Sequence, residues 1–278
     1  MEDVWVKEWI QFGCIISMVA LTACSSPENN QDSQAQEEKT SIFQTEKKVD
    51  VLPYLNIQEK NAKLALPFCE TKNCIDIEVQ TIHTVDPWLN DWLERQQALV
   101  IQDQIGLKQN MRLQDAVSAY VKKSDAWQAA ETGNLAYTLS LYSRVPYQRN
   151  QYVLLQVGVD SKQEDIEIKE RYYFFTADRK AQKNIKMLDI IEAKKQVAMD
   201  KIVQTAYQKW LEEQTEEVKK NAPERLYWGQ ADWFFDQEGV GLHYRTNEII
   251  EEGKQLDIYL TKQQTQQVVK AEIYQDMF

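Results

Sequence analysis

Histidine is nearly absent from this chain, with only His83 and His243 in 278 residues. That scarcity argues against a multi-histidine metal site and leaves a histidine-based catalytic triad almost no material. Glycine is sparse as well, at eight residues, and neither a phosphate-cradling glycine loop nor a Gly-x-Ser-x-Gly elbow occurs. Positive charge is in deficit: 32 Lys and Arg stand against 43 Asp and Glu, for a net charge of -11. Bulk charge therefore disfavours nucleic acid and anionic membrane surfaces and favours a basic partner. Apolar runs are short, and the most continuous one, Ile15 to Ala23, is well below the roughly 20 residues needed to cross a bilayer.

What that short run does have is a distinctive end, Leu21-Thr22-Ala23-Cys24. It resembles a bacterial lipobox, with cleavage between Ala23 and Cys24 and an acyl-bearing glyceride on the Cys24 thiol. Residues 1–23 are then a lipoprotein signal peptide, although Glu2, Asp3 and Glu8 outnumber Lys7 and point to a translation start downstream of Met1. An ordinary hydrophobic N-terminus with a chance cysteine is the alternative. Two or three acyl chains, palmitate among them, hold a protein at a membrane far more firmly than one. The expected location is the cell envelope, and in a diderm cell, with Ser25 rather than Asp after the cysteine, the periplasmic face of the outer membrane.

Cys14 leaves with the signal peptide and Cys24 is acylated, so Cys69 and Cys74 remain. They flank the turn-like Glu70-Thr71-Lys72-Asn73 and suit a structural disulfide across a hairpin neck in an oxidising compartment. The alternative, a redox or zinc motif, has the wrong spacing and no neighbouring His or second Cys pair.

Residues 24–55 are polar and poor in large apolar side chains, and are expected to be a disordered tether. Alternation then predicts strands at Ala62, Leu64 and Leu66 and at Ile75, Ile77 and Val79. Asp86-Pro87 predicts a helix start, and Trp88, Leu89, Trp92, Leu93, Gln96, Leu99 and Val100 form its apolar stripe. A second helix is predicted over Leu113 to Lys123, followed by period-two strands from Leu135 to Val145, Tyr152 to Val159 and Arg171 to Thr176. Short connections favour antiparallel pairing. One long helix is predicted from Glu192 to Lys220, and a short one from Thr261 to Lys270. The fold class is α+β, antiparallel sheets with amphipathic helices packed on one side. Residues 56–186 read as an N-terminal subdomain and 187–278 as a C-terminal domain of long helix plus three-stranded sheet.

Ala231 to Leu260 carries the strongest pattern: Trp233-Phe234-Phe235, an Asp236-Gln237-Glu238-Gly239 turn, then Val240, Leu242 and Tyr244 alternating with Gly241, His243 and Arg245. Asn247-Glu248-Ile249, Glu252-Gly253 and a closing Leu256-Asp257-Ile258-Tyr259-Leu260 follow. This succession resembles the C-terminal extracytoplasmic domain of the RsiV family, lysozyme-sensing anti-sigma factors with related domains in envelope lipoproteins. Asn184 to Ile191 resembles that family's strand into a helix entry, whereas Asp160 to Asp165 stands where the family often has a Gly-Gly-Ala-His-type segment. The resemblance implies a cell-wall-related ligand, either a lysozyme-type muramidase or peptidoglycan. Signalling members join the domain to a transmembrane helix and a sigma-factor-binding segment, which the lipobox replaces here, so anti-sigma activity is not expected.

The expected function is binding, with no catalytic residues, no metal and no cofactor; a peptidoglycan-modifying enzyme or accessory domain and a purely structural lipoprotein are the alternatives. Trp233, Phe235 and Tyr244 form a candidate binding face if their side of the sheet is open, and ordinary core if the 192–220 helix covers it.

Overall fold

Asp86 begins the first helix as its place before Pro87 predicts: its carboxylate accepts a hydrogen bond from the Leu89 amide at 3.1 Å. This helix, α1 (Pro87–Gln104), is part of a computed structural model that describes residues 52–70, 73–251 and 253–278. The expected signal peptide, Ala23 and Cys24 lie outside the described residues.

The fold is α+β. A six-stranded sheet runs in the order β1 (Gln58–Asn61), β2 (Asp76–His83), β3 (Thr138–Arg149), β4 (Tyr152–Gln163), β5 (Ile166–Asp178), β6 (Lys183–Ile185). Strands β3 to β6 follow one another through short connections and pair antiparallel. Strand β2 instead lies parallel to β3, with Ile77 opposite Leu139, which corrects the expectation of purely antiparallel sheets. Between them the chain runs through α1 and α2 (Leu113–Ala130) and returns to the same end of the sheet, as a parallel pair requires.

Both helices cover one face of this sheet. Leu89, Trp92, Leu93 and Ile101 of α1 and Val117 and Tyr120 of α2 bury against Leu139, Leu141, Val153, Leu155 and Val157. Strand β4 is central and feeds both faces, so Tyr152 and Leu154 join a second apolar cluster on the other side. That explains its nearly continuous apolar sequence.

The second cluster is built by the smaller sheet, β7 (Asp232–Phe235), β8 (Val240–Tyr244) and β9 (Leu256–Tyr259), all antiparallel. At the β7–β8 turn Asp236 Oδ1 accepts from the amides of Glu238 and Gly239. Gly239 has φ +152°, and a Cβ there would lie 2.8 Å from the Leu260 carbonyl oxygen, so the turn needs glycine. Met199, Val203, Tyr207 and Trp210 of α4 (Gln196–Glu212) pack on this sheet with α6 (Lys262–Val268) and α7 (Ala271–Met277). The Trp233 indole donates to the Ile185 carbonyl at 2.9 Å and ties the small sheet to β6.

Several boundaries differ from the predicted ones for local reasons. The Ala62 to Leu66 strand does not form: the Gln114 side chain takes both backbone groups of Ala65, replacing a strand partner. Helix α2 continues past Lys123 to Ala130 because Ser124 turns inward and accepts from the Tyr137 amide. The predicted long helix is shorter at both ends: after a separate short α3 (Met187–Ile190), α4 begins only at Gln196 and ends at Glu212, and Thr215 caps a separate α5 (Glu216–Asn221) by accepting from the Val218 amide. The folded part begins before Asn56, since Leu55 is buried and its carbonyl accepts from the Val85 amide. Cys69 and Cys74 are joined as a disulfide, with Cα atoms 5.9 Å apart, in the connection between β1 and β2.

Candidate functional site

Trp233, Phe235 and Tyr244 are 4%, 0% and 0% exposed. Their face of the small sheet is closed by α4, α6 and α7, which corrects the alternative of an open binding face: burying three aromatics outweighs presenting them to water. The opposite face carries the polar chemistry. There Asp232, Phe234, His243 and Asp257 turn toward β5 of the large sheet, where the Phe174 ring lies 5.0 Å from Phe234 and 5.2 Å from His243.

Arg245, just past β8, is the centre of this junction. Its guanidinium donates to Asp232 Oδ2 at 2.9 Å and Glu248 Oε1 at 2.8 Å, and its amide donates to Glu248 Oε2. Asp232 Oδ2 also accepts from the Phe174 amide. Burial would lower the Arg245 pKa, but Asp232 and Glu248 outweigh it and hold the charge more firmly than usual. Burial pushes the Asp232 carboxyl up to about 6, with Arg245 pulling the other way.

The Arg245 guanidinium also lies over Tyr173 of β5. The Tyr173 hydroxyl donates to Asp103 Oδ2 at 2.6 Å and accepts from Gln104 Nε2 at 2.9 Å, and burial raises its pKa well above the ordinary phenol value. A polar chain thus runs from Glu248 through Arg245 and Tyr173 to the end of α1.

Two cavities flank it. One, of ≈ 520 Å³, is lined by Arg95, Leu99, Asp103, Lys108, Tyr173 and Arg245. The other, of ≈ 450 Å³, is lined by Arg171, Tyr172, His243, Arg245, Asn247 and Gln255. Both fall within the roughly 300–1,000 Å³ usual for ligand sites. In the second, His243 Nδ1 is 2.6 Å from Asp257 Oδ1, whose other oxygen accepts from Gln255 Nε2. His243 Nε2, Arg171 Nε and Arg245 Nε are buried without a hydrogen-bond partner among the described residues.

His243 and Asp257 have the geometry of a base and its orienting carboxylate, but among the described residues no hydroxyl or thiol engages Nε2. No group of three or more His, Cys, Asp or Glu is placed to hold a metal ion among the described residues. Arg245, Tyr173, Asp103, Asp232 and Arg171 were not legible as site residues. The available signal was a charged residue directly ahead of an aromatic run, Arg171 before Tyr172-Tyr173-Phe174-Phe175 and Asp232 before Trp233-Phe234-Phe235.

No family model matches the chain, and no curated protein matches it. Solved structures do. A DUF3298 family protein from Pseudomonas aeruginosa is 15% identical with a TM-score of 0.58, covering 80% of this chain and 97% of that one. A member of the DUF3298 family from Bacteroides fragilis is 14% identical with a TM-score of 0.52, again covering 80% and 97%. The structural neighbours of this chain are thus DUF3298 family proteins, and what it shares with them is the fold.

Proposed function

We propose that the protein is a lipid-anchored envelope protein with an RsiV-like body that works by binding a cell-wall-related ligand and performs no chemistry on it. Support comes from the lipobox ending in Cys24, from a disulfide suited to an oxidising compartment, and from the cavities around Arg245. The carrying observation is that ligand-sized space opens onto charges already held in place by Asp232, Glu248 and Asp257. Preorganised polar groups in a concave site favour recognition, since little ordering remains to be done on binding. The size of the cavities favours a peptidoglycan fragment as the occupant; a muramidase would dock on the surface.

The test uses the purified full chain, immobilised through its anchor and offered peptidoglycan and a lysozyme-type muramidase. Retention of peptidoglycan with glycan strands unchanged by mass spectrometry is expected. Retention of the muramidase alone moves the reading to a protein ligand, and retention of neither overturns it. Radiolabelled palmitate should enter the wild-type protein and not Cys24→Ser. A peptidoglycan-modifying enzyme is the second reading, favoured by the His243 and Asp257 pair. Cleaved or deacetylated glycan, abolished by His243→Asn, would establish it.

A further inference from the structure

Gln96, midway along α1, is 7% exposed and lines the first cavity, yet its side-chain amide makes no hydrogen bond among the described residues. The other three glutamines of that helix are all engaged. Gln97 meets Thr81, Gln80 and Ser143, Gln102 meets the Ala98 carbonyl and the Gln109 amide, and Gln104 meets the Val100 carbonyl and the Tyr173 hydroxyl. Buried polar groups are paired in the great majority of cases, so one left open beside three that are satisfied marks a missing partner. Nor is the amide sealed in, as the Trp92 indole nitrogen one turn earlier is. What Gln96 leaves uncovered opens on the cavity.

The walls beside it are apolar. Leu99, three residues on, is 43% exposed, and Leu107, Met111 and Phe175 rest on the core with one side and line the cavity with the other. Charge selects no ion here: Arg245 is matched by Asp232 and Glu248, and the rim carries both cations, Arg95 and Lys108, and a carboxylate, Asp103, within reach of water. A peptide finds no strand to join, because β5 presents the Tyr173 and Phe175 side chains to the cavity and its Phe174 amide is already taken by Asp232. What remains is a neutral ligand with an amide beside an apolar group.

From this geometry we infer that the cavity binds an N-acetylated hexosamine of a glycan strand, with Gln96 reading the acetamido group. Gln96 offers an acceptor, Oε1, and a donor, Nε2, side by side. On such a sugar the acetamido N–H and the hydroxyl of the next carbon also stand side by side, so Oε1 accepts from the first, Nε2 donates to the second, and the acetyl methyl is left for the apolar wall. The ≈ 520 Å³ volume is far more than one acetamido group needs, so the sugar ring enters with it. N-acetylated hexosamines are the repeating units of the glycan strands in the cell-wall reading above, on which this assignment rests.

Titration calorimetry on the full chain in detergent, with N,N′-diacetylchitobiose, cellobiose and N-acetyl-Ala-Ala amide, tests it. The acetylated disaccharide should bind about tenfold more tightly than the peptide and than cellobiose, which has hydroxyls in place of acetamido groups. Gln96→Met should lose about tenfold for the acetylated disaccharide, with a thermal melt no earlier than wild type, since no partner within the fold is removed. Leu99→Arg, at an exposed position of α1, should fill the cavity and abolish binding without touching Gln96. Equal binding of the two disaccharides, tighter binding of the peptide, no binding of any probe, or wild-type binding by either variant overturns the proposal. Retention of whole peptidoglycan by the same preparation is read separately, so the site can fail while the cell-wall reading stands.

Discussion

The guanidinium carbon of Arg245 lies 4.3 Å from the centroid of the Tyr173 ring. With the Phe174 contacts to Asp232, Phe234 and His243, this stacking joins the small sheet to β5, and the Tyr173 hydroxyl carries the connection on to Asp103 at the end of α1. Replacing Arg245 by Met would remove the stacking and strand Asp232 and Glu248 as partly buried carboxylates. A loss of roughly 3 kcal/mol is expected, read as an earlier midpoint in urea. The triple change Arg245→Met, Asp232→Asn, Glu248→Gln should recover most of it, because no charge is then left unpaired. A single mutant as stable as wild type would refute the assignment.

Asp232 gives the junction a pH dependence whose sign is set by its raised pKa of about 6. A carboxyl with a folded value above the unfolded one near 3.9 binds its proton more tightly when folded. Its contribution to stability is therefore full below about pH 4 and is lost as pH rises through about 6. Carboxyl carbon NMR should show a titration midpoint near 6 that is missing in Asp232→Asn, and the stability profile of that variant should be flatter across the same interval. A midpoint near the ordinary carboxylate value would contradict the reading.

Arg179 is a purely structural counterpart. It lies 2.9 Å from Asp86, the cap of α1, and donates to the Pro53 carbonyl at 3.0 Å. With only 4% of its side chain exposed, removal leaves Asp86 facing an unfilled, water-poor space. Arg179→Ala should cost about 3–5 kcal/mol and make the backbone near Pro53 susceptible to protease sooner than the rest of the fold.

Gly158 lies beneath the ring of Tyr142, where an added Cβ would come 2.1 Å from Tyr142 Cζ. Because a side chain and not backbone must give way, Gly158→Ala should cost only about 1 kcal/mol, the value of the edge contact between Tyr142 and Tyr172. In a Tyr142→Ala background the same substitution should be nearly neutral. Chemical denaturation of the four proteins completes the cycle.

The Cys69 and Cys74 bridge encloses Asn73, whose side chain donates to the Asn134 carbonyl and accepts from the Ala136 amide. So small a loop is worth about 2 kcal/mol at most by chain entropy. Cys69→Ser with Cys74→Ser should lower the melting temperature by a few degrees and leave the fold intact, matching wild type in reductant.

Much of the architecture was legible because local rules agree with the final packing. Asp86 before Pro87 could only start a helix, and the aromatic strand, acidic turn and Gly239 could hardly be other than a hairpin. The break at Thr215 was also written locally, as a hydroxyl ahead of Glu216 and Glu217, but the helical spacing on both sides masked it. The parallel pairing of β2 with β3 was not legible, because alternation reports which face of a strand is buried and not which strand lies beside it.

By itself, the sequence determined most of the elements, the placing of Trp233, Phe235 and Tyr244 on one side of a sheet, and the two cysteines able to form a disulfide. Those properties depend on neighbours within a few positions. Only the tertiary structure decided that this side is covered, that Arg245 meets Asp232 and Tyr173, and that the Tyr173 hydroxyl reaches Asp103. Such relationships depend on the order in which strands pack, and side chains far apart in the chain acquire their charge environment only when that order is set.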